Sequence, residues 1–333
     1  MNSCIIITDN KIGNINPALG VAKALLRECH LKSPPIHYQI PVSYALDYIP
    51  LWLLKKATYL VPFLLKFFLP KDFFESPLPH IMIGNGRASV KICALVKLYC
   101  TALSHKIFAI QLQHPRIPNH YFDVIIAPQH DSLKGKNVIS TIGLPTHIDY
   151  ETLRKTPTHP ALEALAKPII SVFIGGKSKR YPFHDYEMDK LIHDLKTFMR
   201  VNACSLCITT SRRTQPHHKT LLQQAFADIP NVFLWDGTGE NPYLSMLKIS
   251  KMAIATADSA NMLCEIATAQ VPLLLYPLEG TVGKFQQLYL ALKAKKLLQP
   301  FTYYPRPYAR HKFDETKRVT RIIKYKIKEF FIY

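Results

Sequence analysis

Three short segments in the second half of the sequence combine residue types that bind phosphate. They are residues 175–180 (GGKSKR), 210–214 (TSRRT) and 256–259 (TADS), and each directly follows an apolar run that predicts a β-strand. Glycines let backbone N–H groups approach an anion closely, and an arginine can donate two parallel hydrogen bonds to one phosphate. The carboxyl ends of parallel strands lie at one edge of a sheet, where such sheets bind ligands. We therefore predict an anion site that contains Gly175, Gly176, Lys177, Ser178, Arg180, Ser211, Arg212, Asp258 and Ser259.

Two carboxylates lie close to this predicted site. Residues 252–276 read as a strand, a helix and a second strand, and Asp258 or Ser259 can cap the helix by accepting backbone N–H bonds. Asp258 and Glu265 are seven residues apart, a spacing that places them on one face of that helix. Glu279 follows the next strand at the same edge, and we count it among the nucleotide-binding residues.

Each segment also has a simpler interpretation. Residues 175–178 resemble the end of a P-loop, but Ser171 stands where that motif requires its first glycine, so a tight turn with a basic surface explains them equally well. Two adjacent arginines on a loop are more often solvated than bound to a ligand. The third segment can be a capped strand-helix-strand unit with a solvated Glu265. The anion site is favoured because all three segments are expected at one edge of one sheet.

Apolar runs alternate with helical patterns along the whole chain. In the first half they predict a helix over residues 18–29 and strands at 4–8, 36–40, 81–83, 107–112, 124–127 and 138–142. In the second half they predict strands at 169–174, 205–209, 232–235, 252–255 and 273–276. Strands that alternate with helices indicate mainly parallel sheets. The predicted fold is α/β, with two Rossmann-like domains whose parallel sheets face a cleft.

Changes in composition suggest where these domains begin and end. Residues 148–167 contain several prolines and a short helical pattern, and we interpret them as a linker. The linker separates an N-terminal domain (1–147) from a C-terminal nucleotide-binding domain (168–300). Residues 301–333 are basic and aromatic, and we interpret them as a tail or helix that packs on the protein.

The formal net charge of +19 at pH 7 implies attraction to anionic partners, such as nucleotide phosphates or an acidic membrane surface. Residues 44–74 combine Trp52, phenylalanines and lysines with a proline-broken apolar run. Because each lysine inside a spanning helix costs about 2.5–3.5 kcal/mol, we predict a peripheral hairpin on an anionic membrane rather than a span. Residues 303–310 could stack on bases, but a packed tail explains them better, and no nucleic-acid partner is expected.

The cysteines and histidines show no metal-binding pattern. The seven cysteines form no pair of CxxC motifs, which is typical of core thiols in a reducing compartment. His114 and His130 follow predicted strands without a partner at metal-ligand spacing, so we expect no metal. The chain enters a strand at Cys4 without a signal-type apolar core, which favours a cytoplasmic protein.

Several motifs, in a fixed order, resemble the mitochondrial fission ELM1-like family. They are FDVIIAPQHD (122–131), NVISTIGLP (137–145), SVFIGGKSKRYPF (171–183), TTSRRT (209–214), WDGTGENPY (235–243), TADSANMLCEIATAQVPLLLYPLEG (256–280) and Lys284-Phe285. Bacterial members of this family are often labelled predicted nucleoside-diphosphate-sugar epimerases. The resemblance implies a GT-B-like fold, in which the second domain holds the nucleotide half of a sugar donor.

The resemblance also implies roles for individual residues. By analogy with GT-B glycosyltransferases, Ser259 would contact the diphosphate and Glu265 the ribose. The family's first loop reads Asp-Gly-x-x-Gly-His-x-x-Gln, whereas this chain has Asn10, Asn14 and Pro17 at the second, sixth and ninth positions. Asparagine cannot act as a general base. Of the remaining candidates, His130, Asp131, Glu279 and Asp9, we favour Asp9 because it ends the first strand, although a loop-capping aspartate is the more common explanation.

These observations support two functions of different classes. The first is a GT-B-like protein that binds a nucleotide-sugar, without a further cofactor, and transfers the sugar to a membrane-associated acceptor. The second is a non-catalytic adaptor that recruits a dynamin-like partner, as the resemblance to plant members of the family implies. An epimerase is less favoured, because the sequence has neither a GxxGxxG-type dinucleotide loop nor a YxxxK pair. The sequence leaves the sugar, the acceptor and the oligomeric state open.

Overall fold

The structure is a computed structural model that describes residues 3–31, 33–40, 60–283, 285–306 and 312–332. Trp52 and most of the predicted membrane hairpin lie outside the described residues, as do Lys284 and the end of the basic segment 303–310. Among the described residues, no helix combines the length and the apolar composition that crossing a membrane requires. The chain divides into two compact units, Met1–His147 with Asp314–Tyr333, and Ile148–Phe313.

The first unit is built around a parallel sheet with the strand order β2-β1-β3-β4-β5-β6. Most of its strands are buried along their full length, which is why they read as continuous apolar runs. The strands are β1 (Cys4–Thr8), β2 (Ile36–Gln39), β3 (Ile81–Asn85), β4 (Phe108–Leu112), β5 (Val124–Pro128) and β6 (Val138–Thr141). The α-helices described between them are α1 (Ile12–Cys29), α2 (Val61–Leu65), α3 (Lys71–Glu75) and α4 (Arg87–Ala102).

Helix α1 begins at Ile12, six residues before the predicted start at Ala18. The prediction was wrong because Pro17, which lies inside the helix, was taken as the end of a loop. Proline has no N–H to donate to the carbonyl of the residue four positions earlier, but the helix nevertheless extends on both sides of Pro17. As a result, Asn14 lies in the first helical turn, close to the carboxyl end of β1.

The second unit is also built around a parallel six-stranded sheet, but its strand order differs and is β12-β11-β10-β7-β8-β9. Its strands are β7 (Ile169–Ile174), β8 (Ser205–Thr210), β9 (Val232–Trp235), β10 (Met252–Thr256), β11 (Leu273–Tyr276) and β12 (Leu298–Pro300). Its helices are α5 (Tyr150–Lys155), α6 (Pro160–Glu163), α7 (Asp185–Asn202), α8 (Pro216–Phe226), α9 (Tyr243–Ile249), α10 (Ala260–Thr268) and α11 (Phe285–Ala294). The strand β12 was not predicted.

The last described helix, α12 (Glu315–Ile332), belongs to the first unit. Its residues Val319, Ile323 and Ile327 are fully buried in the core that α1 forms with the first sheet. At its start, the Thr316 hydroxyl accepts the N–H of Thr146 at 2.8 Å. Residues 301–333, interpreted as a tail or helix, therefore contain a core helix, and residues 148–167, interpreted as a linker, contain α5 and α6 of the second unit.

In each sheet there is one pair of neighbouring strands from which the chain continues toward opposite edges of the sheet. In the first unit this switch point lies between β1 and β3, and in the second unit it lies between β7 and β10. The connections that follow such a pair diverge and leave a crevice at the carboxyl ends of the strands, where open α/β sheets bind ligands. The switch points therefore locate the candidate sites.

Candidate functional site

The carboxylate of Asp258 is the centre of the switch point in the second unit. Its side chain is fully buried, and its Oδ2 accepts the Gly176 N–H at 2.8 Å and Nη2 of Arg213 at 2.6 Å. Its Oδ1 accepts the Thr256 hydroxyl at 2.7 Å. Asp258 thus joins the three predicted segments, because Gly176 and Arg213 lie in the loops after β7 and β8 and Thr256 is the last residue of β10.

Helix α10 begins after Ser259, and no side chain caps it. This corrects the prediction that Asp258 or Ser259 would accept N–H bonds of the first turn. The Asp258 carboxylate is turned toward Gly176 and Arg213 instead. The Ser259 side chain thus makes no capping hydrogen bond at the switch point, and the start of a helix favours anions.

The two glycines after β7 allow the loops to pack closely. Gly175 donates its N–H to the Thr256 hydroxyl at 2.8 Å, and the Gly176 N–H is bound by Asp258. A Cβ atom on Gly175 would lie 2.0 Å from Oδ2 of Asp258, and one on Gly176 would lie 2.1 Å from the backbone of Arg213. Both amides that were expected to approach an anion are thus used within the protein.

In the loop after β8, the Arg213 side chain forms contacts within the protein, whereas the Arg212 side chain is exposed to solvent. Nη1 of Arg213 donates to the Gly176 carbonyl at 2.8 Å, in addition to its ion pair with Asp258. The Ser211 hydroxyl accepts the N–H of Arg213 at 3.1 Å, and the Thr214 hydroxyl binds the Gly175 carbonyl. Arg212 is exposed and makes no hydrogen bond or ion pair within the part of the chain that the structure describes.

Arg213, Thr214 and Thr256 were missed as site residues from the sequence. The signal was present, because Arg213 and Thr214 belong to the same TSRRT segment and Thr256 begins TADS. Sequence alone does not show which of two adjacent arginines turns inward, since that depends on the conformation of the loop.

The basic segment after Gly176 folds back on itself. The Ser178 hydroxyl accepts the N–H groups of Arg180 at 3.3 Å and Tyr181 at 3.1 Å. The Arg180 guanidinium lies 4.8 Å from the ring centroid of Phe285 and donates to the Val282 carbonyl at 3.4 Å. Ser178 and Arg180 are thus occupied by local contacts, whereas the Lys177 side chain is exposed.

Glu279 reaches the same edge of the sheet. Its carboxylate accepts the Tyr186 hydroxyl, and this hydrogen bond raises the pKa of Tyr186 to about 12. Its N–H donates to the Glu187 carboxylate at 2.6 Å. Two residues after Glu279, Thr281 contacts the basic loop by donating its N–H to the Arg180 carbonyl at 2.9 Å.

Glu265 is a buried carboxylate on α10, with 8% of its surface exposed. It accepts the hydroxyl of Tyr243, at the start of α9, at 2.5 Å. Burial, followed by the charge and the hydrogen bond of Glu265, raises the pKa of Tyr243 well above its usual value. The Tyr243 ring also packs edge-on against Phe173 of β7 at a centroid distance of 5.1 Å. The orientation of Glu265 is therefore fixed by the WDGTGENPY segment.

The switch point of the first unit contains Asp9, which is 2% exposed. Its Oδ1 accepts Nδ2 of Asn14 at 2.8 Å and the N–H of Lys11 at 3.2 Å. The ammonium of Lys11 lies 3.4 Å from Oδ2. Asn85, at the end of β3, donates to the Asn14 carbonyl at 2.8 Å. The other candidate bases of this unit, His130 and Asp131, lie together on a short 3-10 helix after β5.

Comparison with solved structures identifies the class of fold. The structure of UDP-GlcNAc 2-epimerase from Methanocaldococcus jannaschii superimposes with a TM-score of 0.56 over 98% of this chain and 100% of that chain, at 12% sequence identity. A structure of the same enzyme in complex with UDP-GlcNAc and UDP gives a TM-score of 0.51, with 11% identity and the same coverage. Two parallel sheets with these neighbours define a GT-B-like α/β protein, which confirms the predicted fold class.

Within this class, the chain belongs to the mitochondrial fission ELM1 family, whose model matches residues 12–327. The Mitochondrial fission protein ELM1 of Arabidopsis thaliana is 25% identical over an alignment of 259 positions that covers 70% of this chain. The match spans only 60% of the length of that relative. Uncharacterized protein RP120 of Rickettsia prowazekii (strain Madrid E) is 25% identical over an alignment of 373 positions, gaps included, that covers 97% of this chain and 98% of that protein. The resemblance seen in the sequence is confirmed.

Proposed function

We propose that the second unit binds the diphosphate of a nucleotide-sugar at the β7/β10 switch point. The observation that carries this proposal is the start of α10, which has no side-chain cap and lies next to the cluster of Asp258 and Arg213. A helix start at a switch point is a favourable place for phosphate. The solved neighbours support the choice of ligand, because one of them is described in complex with UDP-GlcNAc and UDP.

We assign a separate role to each group of residues, and their contacts support these roles. Asp258, Arg213 and the two glycines hold the loops together, so they position the site. Ser259 and the first turn of α10 would contact phosphate, and the exposed Arg212 and Lys177 would supply positive charge. Glu265, fixed by Tyr243, would accept hydroxyl groups of the ribose.

A binding panel tests this proposal directly. Purified protein is mixed with nucleotides and nucleotide-sugars, and the melting temperature is measured. A ligand at about 100 times its Kd should add roughly 2.7 kcal/mol of stability. For the ligand that binds, Arg212→Ala should weaken binding by about 1.5–3 kcal/mol in calorimetry.

Arg200→Ala is the matched control for that variant. Arg200 is an exposed arginine near the end of α7, and α7 runs away from the carboxyl edge of the sheet. Its replacement should leave binding unchanged. If no nucleotide binds, or if both variants weaken binding equally, the site is not at this switch point.

Transfer of the sugar to an acceptor is the catalytic form of this proposal. Asp9 would act as the base. The observation that supports this role is that the Asp9 carboxylate is buried at the carboxyl end of β1. Turnover of a bound nucleotide-sugar should then fall in Asp9→Asn. Unchanged turnover in that variant would remove Asp9 from the mechanism.

One observation favours a non-catalytic adaptor instead. Asn14 stands where the family's loop has a histidine, and its side chain donates to Asp9. The relative from Arabidopsis is described as a mitochondrial fission protein, so recruitment of a dynamin-like partner is the corresponding function. Absence of turnover with every donor that binds would support the adaptor.

We also propose peripheral binding of the first unit to an anionic membrane. Phe63 and Phe67 are 61% and 65% exposed, and their rings pack edge-on at a centroid distance of 5.2 Å. The net charge of +19 would add attraction to anionic lipid. Flotation with anionic liposomes should be salt-sensitive and should fall in a Phe63→Ser, Phe67→Ser variant. The control is Leu290→Ser, since Leu290 is 59% exposed in the second unit.

A further inference from the structure

Asp185, His217 and His218 form a cluster that the proposed nucleotide site does not use. Asp185 is the first residue of α7, and the two histidines lie in the first turn of α8. Nε2 of His217 lies 2.6 Å from Oδ1 of Asp185, and Nε2 of His218 lies 2.9 Å from the same oxygen. One donor atom from each of the three residues thus converges within 4.8 Å.

We propose that these three side chains bind a divalent transition-metal ion of the zinc type. Two imidazole nitrogens and one carboxylate oxygen are a ligand set that zinc accepts, with a water in the fourth position. Zinc holds these ligands at about 2.0–2.2 Å, so donor atoms on one ion lie roughly 3.3 Å apart. The two distances that join Asp185 to the histidines, 2.6 and 2.9 Å, would have to widen slightly to reach this value, and the exposed side chains of Asp185 and His217 have room to rotate.

The burial of the three residues suits an ion that enters from solvent. His218 is fully buried, and its ring lies 5.2 Å from the ring of Phe183, so packing fixes its direction. The side chains of His217 and Asp185 are 48% and 70% exposed. The buried His218 would therefore provide one fixed ligand, and the two exposed ligands would adjust around the ion and leave its fourth position open to water.

The position of the cluster gives the ion a structural consequence. Helix α7 follows the loop that contains Gly176, and α8 follows the loop that contains Arg213. An ion bound by both helix starts would tie these two loops together. The proposal is independent of nucleotide binding, because none of the three residues belongs to the proposed phosphate site.

Zinc titration of the untagged, chelator-treated protein tests the proposal by calorimetry. We expect one equivalent of zinc to bind, and neither Mg²⁺ nor Ca²⁺ to compete, since these ions prefer sets of oxygen ligands. His217→Ala and Asp185→Asn should each weaken zinc binding by roughly 100-fold or more, because loss of even an outer-shell partner costs 10–100-fold. Asp185→Asn keeps an oxygen that accepts the imidazole hydrogen bonds, so it separates metal binding from hydrogen bonding.

His193→Ala is the matched control, since His193 is an exposed histidine on α7, just over two turns after Asp185. It should bind zinc as the unchanged protein does. A zinc concentration of about 100 times the Kd should also raise the melting temperature by roughly 5–10 °C, except in the two ligand variants. Absence of zinc binding, or equal binding in all three variants, would overturn the proposal.

Discussion

Each switch point lies at the carboxyl ends of two neighbouring parallel strands, but the two switch points present different charges. In the second unit, Asp258 is enclosed by Arg213 and by backbone and hydroxyl donors, and Arg212 and Lys177 remain exposed. In the first unit, Asp9 is held by the amide of Asn14 and pairs with the exposed ammonium of Lys11.

This difference shows that topology locates a crevice and that side chains decide what the crevice binds. Around Asp258, the carboxylate is neutralised by an arginine, so additional cations can act on a ligand. Around Asp9, the cation is the exposed ammonium of Lys11, and the groups of Asn14 and Asn85 are neutral amides. An anion is therefore expected at the second switch point, and a neutral or hydroxyl-bearing group suits the first.

The largest effect on stability is expected for Asp258→Ala. The change leaves the Gly176 N–H, the Thr256 hydroxyl and Arg213 without their acceptor, and three loops lose their common contact. We expect the free energy of unfolding to fall by about 2–4 kcal/mol, measured by urea denaturation followed by circular dichroism. A loss below about 1 kcal/mol would mean that Asp258 does not organise the site.

Arg213→Ala should have the next largest effect, because it leaves the buried Asp258 carboxylate without its cation. We expect a loss of about 1–3 kcal/mol in the same measurement. Arg212→Ala is the matched control and should change stability by less than about 0.5 kcal/mol, since Arg212 is exposed. Equal losses in the two variants would contradict the inward position of Arg213.

Asp9→Asn tests how much the corresponding carboxylate in the first unit contributes to stability. It weakens the hydrogen bond from Asn14 and removes the ion pair with Lys11, whose side chain is 59% exposed. The expected loss is about 0.5–1.5 kcal/mol, and it should be smaller than that of Asp258→Ala. A larger loss of stability in Asp9→Asn than in Asp258→Ala would contradict the expectation that the Asp258 contacts contribute more to stability.

The smallest effect is expected for Ser259→Ala. No side chain caps α10, so the loss of stability should remain below about 0.5 kcal/mol, while phosphate binding weakens. Asp149→Ala is the comparison, because the Asp149 side chain accepts the Thr152 N–H at 2.7 Å at the start of α5. That variant should lose about 1 kcal/mol. Similar losses in both variants would show that Ser259 does cap its helix.

Most of the strands could be predicted from sequence because they read as continuous apolar runs, and many of them are buried along their full length. Three of the second unit's strands, Ile169–Ile174, Val232–Trp235 and Leu273–Tyr276, have the predicted bounds. The short β12 was missed because Leu298 is the only strongly apolar residue among its three.

The site was harder to predict, because its contacts join residues that are far apart in the sequence. A carboxylate before a helix indicates a cap, and only the folded chain shows that Asp258 binds Gly176, 82 residues away. The convergence of Asp185 with His217 likewise depends on the placement of two helices. Such partners follow from the folded sheet order and loop conformation, which no local pattern in the sequence records.

The return of α12 to the first unit makes the order of synthesis important. The strands β1 to β6 are translated first, but their core lacks Val319, Ile323 and Ile327 until the last helix is made. Residues 148–313 are contiguous, so the second unit can complete its core before the last helix of the first unit is translated. Domains generally fold as they emerge during translation, and an uncovered apolar face is prone to aggregate. A chain that stops after Phe313 would therefore carry a finished second unit attached to an open first core, and protein quality control would be expected to remove it.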